Sequence, residues 1–151
     1  MISLEKRALC GEVETRLYGK NGLLRSFRKV KNITVTTGFQ CVCDMMGKAS
    51  AQPLGFQYCA VGLGTNAPAL ANTLLASETA RVSGGYTRTA NTVWTNDATF
   101  GPGTGTGTIT ESGLFNNSGA DSKTMLCRQT FGAITKGASD TLVVTWQYTL
   151  S

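Results

Sequence analysis

The chain contains no histidine. The commonest general base is therefore missing, and with it every His-based triad and the most frequent metal ligand. Charge is also scarce, at 15% of residues, against about 25% in average globular chains. Disorder needs high charge and few apolar residues, so the 41% apolar content argues for a packed domain. No stretch reaches the ~18 apolar residues of a membrane span. The opening Met1-Ile-Ser-Leu-Glu-Lys-Arg7 lacks the apolar core of a secretory signal, which predicts a protein made in a cytosol or packaged there.

The nine acids are scattered along the chain without the paired spacing that acid–base chemistry would suggest. Gly62-Leu-Gly64 and the glycines of 101–107 lack the Gly-Lys-Ser/Thr ending of a phosphate loop. No catalytic centre, cofactor or metal site is expected. Glu78 and Glu111 are the carboxylates to test if glycan turnover were found. Five cysteines are an odd number, so at least one has no partner within the chain. Cys41-Val-Cys43 has no second pair to complete a zinc site. Two readings stand: buried free thiols, or disulfides between subunits drawing on Cys10, Cys41, Cys43, Cys59 and Cys127.

What the chain does have is glycine, threonine and alternation. Glycine accounts for 18 of 151 residues. The run Thr99-Phe-Gly-Pro-Gly-Thr-Gly-Thr-Gly107 cannot be helical, because each glycine costs roughly 1 kcal/mol relative to alanine. It reads as a bend feeding a strand at Thr108–Phe115. Residues 11–31 read as a hairpin around Asn21-Gly22, with Val13, Thr15 and Leu17 on one side and charge on the other. Thr36 and Thr37 are candidate N-caps for a short helix near 37–47, whose core stripe would be Phe39, Val42, Cys43 and Met46.

Further strands are expected at Phe56–Val61, within 81–100, at Thr124–Phe131 and at Thr141–Leu150. Asn66 to Ser77 reads as a surface segment with one loose helical turn. In the last strand Leu142, Val144, Trp146 and Tyr148 share a face. The fold class is all-β, an antiparallel sandwich or jelly-roll-like body with an N-terminal hairpin and one helix. One domain spans 1–151, divided into a basic hairpin segment 1–35 and a body 36–151.

Residues 1–31 hold eight bases and three acids and so carry the whole net charge of +5. A basic face suited to an acidic partner is the sharp reading, with Arg16, Lys20, Arg25, Arg28 and Lys29 as docking candidates. A solvated hairpin is the plain one. Specific nucleic-acid binding is not expected, because only Tyr18 and Phe27 interleave with the bases.

Several segments carry a resemblance. They are Ala60-Val-Gly-Leu-Gly-Thr65, Pro68, Leu75-Ala-Ser-Glu78 with Arg81, and Thr99-Phe-Gly-Pro-Gly103. Thr110-Glu-Ser-Gly-Leu-Phe-Asn116, Met125-Leu-Cys-Arg128 and Ile134 to Trp146 complete the set. Over about residues 57–150 the chain resembles structural proteins of tailed-bacteriophage virions, of the head-decoration, collar or tail-fibre kind. The resemblance implies a non-enzymatic β-sandwich that oligomerises, often as a trimer, on a symmetric particle. Its partners would be the major capsid protein or other virion proteins, with no membrane involved. The alternative within that resemblance is a receptor-binding module holding host glycans with Tyr58, Tyr86 or Trp94 in exposed loops.

Overall fold

The computed structural model describes residues 9–119 and 124–150, so the first eight residues of the 1–35 segment lie outside it. The described elements run β1 Leu9–Tyr18, β2 Leu24–Lys31, β3 Ile33–Thr34, α1 Thr36–Gly47, β4 Tyr58–Gly62 and β5 Glu78–Ser83. They continue with β6 Gly85–Ala90, β7 Val93–Phe100, β8 Gly107–Phe115, β9 Met125–Lys136 and β10 Thr141–Leu150. Two five-stranded antiparallel sheets result, with orders β2-β1-β10-β7-β6 and β3-β9-β8-β4-β5. This is the all-β sandwich with a hairpin and one short helix that the alternation predicts.

The clean period of β10 explains its place at the centre of the first sheet. Leu142, Val144, Trp146 and Tyr148 are fully buried, and β1 and β7 flank them in register. Val13 lies opposite Trp146, Leu17 opposite Leu142, Ala98 opposite Val144 and Phe100 opposite Leu142. The N-terminal hairpin is thus no appendage. Its first strand pairs with β10 from Leu9↔Leu150 to Tyr18↔Thr141 and gives its apolar side to the common core.

The chain passes between the sheets at Asn32, between β2 and β3, and elsewhere at glycine-containing turns. Gly84 joins β5 to β6, and a Cβ there would strike the Asn96 side chain. Between β7 and β8 the turn uses Gly103 and Gly105 at positive φ, of 77° and 63°. Lys136, buried beside it, donates to the Gly101 carbonyl at 2.9 Å.

The helix lies where expected but rolls onto another face. Phe39 and Met46 are exposed, at 46% and 84%, whereas Gly38 and Cys41 are buried and Val42 and Met45 pack on the core. The reason is Gly38, whose missing side chain lets the helix lie against the backbone of Leu126. A Cβ there would come within 2.8 Å of the Leu126 Cα. The N-cap is Val35, with no side-chain cap from Thr36 or Thr37. Thr37 instead donates to the Met125 carbonyl at 3.1 Å. Residues 63–77 form no helix; apart from one hydrogen-bonded turn at 69–72, where the Asn72 amide donates to the Ala69 carbonyl at 3.0 Å, they run as an irregular strap over the outer side of the second sheet.

Candidate functional site

The hairpin distributes its basic side chains unevenly. Lys29 pairs with Glu12 at 3.0 Å and Arg16 with Glu14, so two candidate docking residues are answered by acids on their own ribbon. The Arg16 guanidinium also lies over the Phe27 ring. Arg25 reaches Asp140 at 3.1 Å, in the turn before β10. Arg28 faces away from this set. It pairs with Thr15 across the ribbon and donates to the carbonyls of Phe27 at 2.8 Å and Ala133 at 3.5 Å. Lys20, at the turn, has no acid within ion-pair distance among the described residues. The five candidates therefore share one hairpin but do not form one uncompensated patch.

The second concentration of charge is buried, and the sequence analysis did not group its members. On the outer side of the second sheet, Glu111 of β8 and Arg128 of β9 form an ion pair at 2.8 Å with both side chains fully shielded from solvent. Glu111 Oε1 accepts the amides of Gly64 at 2.9 Å and Ser77 at 2.8 Å, while Oε2 accepts Ala76 at 3.0 Å and Arg128 Nε at 2.8 Å. Arg128 also donates to Asn66 Oδ1 at 3.1 Å and Asn72 Oδ1 at 3.2 Å. Apart from Arg128 Nε, which is spent on Glu111 itself, every side-chain polar atom of the pair holds the 63–77 strap. Gly62 and Gly64 are glycine for a steric reason, since a Cβ at Gly62 would lie 2.6 Å from Glu111 Oε1 and one at Gly64 closer still.

A second clamp lies beside the first. Arg81 grips Glu78 through two nitrogens at 2.9 and 2.7 Å, stacks 3.7 Å above the Phe115 ring, and donates to the Asn117 carbonyl at 3.0 Å. Residues far apart in the chain, around Gly62, Ser77, Glu78, Arg81, Glu111 and Arg128, meet here in space. Neither Glu78 nor Glu111 is left free to act as an acid or base on a ligand.

At the opposite end of the sandwich, an apolar cleft of about 540 Å³ opens between the sheets beside α1. Leu9, Val42, Met45, Phe56, Tyr86, Trp94 and Leu150 line it. Trp94 stacks on Tyr148 at 5.2 Å, and Tyr86 lies 6.0 Å from Trp94. Tyr58, Tyr86 and Trp94 stand on strands β4, β6 and β7 rather than in loops, and of the three only Tyr86 is well exposed, at 64%.

All five cysteines are free. Burial of Cys41, Cys59 and Cys127 removes them from any disulfide between folded subunits and leaves Cys10 and Cys43 on the surface. Burial pushes the Cys59 and Cys127 thiols up to about 12, which keeps them protonated and unreactive. Among the described residues no group of three or more Cys, Asp or Glu converges as metal ligands, and no helix is long and apolar enough to cross a membrane. No family model, no curated protein and no solved structure matches this chain.

Proposed function

We propose that this chain is a non-enzymatic structural protein of a tailed-phage virion, a decoration or cement protein attaching to the capsid surface as an oligomer. A trimer suits the symmetric particle, and the partner is the major capsid protein or another virion protein. The observation that carries this reading is the use made of the buried charge. Glu111, Arg128, Glu78 and Arg81 are satisfied by the protein itself, and the surplus positive charge is left on one hairpin. Such a molecule is built to be rigid and to attach, not to turn over a substrate. Mixing the purified protein with undecorated shells of its phage tests it. Saturable, salt-sensitive binding is expected, and its absence overturns the proposal.

A second reading is supported by the exposed Tyr86 beside Trp94 at the cleft. A collar or tail-fibre module would use such aromatic faces to hold host glycans. Adsorption to host cells that Tyr86→Ser abolishes would favour this role over capsid decoration.

A further inference from the structure

We infer that the attachment element is the tip of the N-terminal hairpin, residues 19–25, and that it seats in an acidic, apolar-floored recess on a virion protein. This rests on the attachment role proposed above and names the part of the molecule and the partner chemistry that serve it.

The first observation is apolar exposure without a folding reason. Lys20-Asn21-Gly22 already makes the turn, with Gly22 at positive φ. A turn requires nothing apolar after it, yet Leu23 and Leu24 follow at 65% and 54% exposure. Two adjacent leucines held in water beside a turn are characteristic of a surface that becomes covered.

The second observation is the charge pattern. On the strand faces Arg16 and Lys29 are paired with Glu14 and Glu12, whereas Arg28 and Lys31 have no acid within ion-pair distance among the described residues. Lys20, beside the leucines, has no acid partner among the described residues, and the Arg25 guanidinium remains largely in solvent while it touches Asp140. The uncompensated positive potential near the leucines therefore calls for an acidic rim around an apolar floor.

The third is preorganisation. The Gly19 amide donates to the Leu23 carbonyl at 3.0 Å, Gly22 to Gly19 at 2.9 Å, and Leu23 to Asn21 Oδ1 at 3.1 Å. Arg25 ties the base of the turn to the opposite edge of β1 through Asp140. A tip already held in one shape loses little freedom on docking.

Binding of the full-length protein to undecorated shells is compared with Leu23→Ser/Leu24→Ser, Lys20→Glu and, as a control on β6 outside the hairpin, Arg88→Ser. All these positions are solvent-facing, so melting temperatures should match and fold loss is checked directly. The leucine double variant should raise the half-saturating concentration by about tenfold or more, as loss of a central apolar anchor does. Lys20→Glu should weaken binding several-fold in dilute buffer. That difference should vanish near 0.5 M NaCl, where charges more than about 4 Å apart are screened. Arg88→Ser should bind as the unaltered protein does.

If the unaltered protein binds and both tip variants bind equally well, the inference falls and the attachment role stands. If the unaltered protein does not bind shells, both fall. Vesicles of phosphatidylcholine and phosphatidylglycerol form the remaining arm. Leucine-dependent binding to them that matches or exceeds binding to shells would replace the protein recess with a lipid surface and overturn the partner named here.

Discussion

Replacing Glu111 by Gln tests the physical basis of the second sheet. The carboxylate accepts four donors, two on each oxygen: Gly64 and Ser77 amides on Oε1, Ala76 amide and Arg128 Nε on Oε2. Glutamine has nearly the same shape but one oxygen and one NH₂. In either orientation its NH₂ confronts two N–H groups that have lost their acceptor, and Arg128 loses the acid it pairs with while remaining buried. Removing one partner of a buried ion pair costs about 3–5 kcal/mol. In a chain of this size that lowers Tm by about 6–20 °C.

Circular dichroism melts read the global effect, and hydrogen exchange at Gly64, Ala76 and Ser77 reads the strap itself. These amides should lose protection before the β10 core does. Glu111→Leu combined with Arg128→Met removes both charges and should destabilise less than the sum of the two single changes. A Tm within about 2 °C of the unaltered protein, with the three amides still protected, would refute the reasoning.

Four further outcomes are expected. Trp146→Ala should cost about 3–5 kcal/mol in urea denaturation, since the ring is fully buried between β1 and β7 partners; a near-neutral result would mean that face is not core. Gly38→Ala and Gly47→Ala form a matched pair within α1, each gaining up to about 1 kcal/mol of helix propensity. At Gly47 nothing lies within 4 Å of the added carbon, so stability should rise, whereas at Gly38 the Leu126 backbone is in the way and stability should fall. Two changes of the same sign in thermal melts would contradict the packing described. In the folded protein Cys10 and Cys43 should react with a thiol reagent, and Cys41, Cys59 and Cys127 only after denaturation. Because the folded Cys59 and Cys127 thiols titrate near 12 against 9.0 for an ordinary one, the stability they contribute is complete below pH 9 and is lost as pH rises toward 12. A Cys59→Ala/Cys127→Ala variant should therefore show a shallower alkaline decline in Tm; parallel curves would count against this.

Sequence revealed those parts of the fold whose signal is local. β10 could be read because a central strand with one buried face alternates strictly, and the hairpin because Asn21-Gly22 suits a tight reversal. The helix could be placed but not oriented. Phe39 and Met46 are the larger apolar residues, but Gly38 decided the contact through what it lacks. The strap had no periodicity to betray it, and Glu111 meets amides as far as 47 residues away. One trace was nonetheless present. Glu111 is the lone charge in Thr108–Phe115 and Arg128 the lone charge in Thr124–Phe131, and consecutive antiparallel strands bring such solitary opposites together. The basic cluster was visible as composition, but the pairing of Arg16, Lys29 and Arg25 with Glu14, Glu12 and Asp140 depended on register and on a contact 115 residues distant.

The strap also constrains the order of events on the ribosome. Its amides emerge well before the β8 carboxylate that accepts them, and its Asn66 carbonyl before the β9 guanidinium that donates to it, while β1 must wait for β10, the last of the described strands. Closing such long loops is entropically slow. A nascent chain that stalls before Thr141 therefore has its first strand unzipped from its mate and half its interior wet, which makes interrupted synthesis a natural substrate for quality-control proteases.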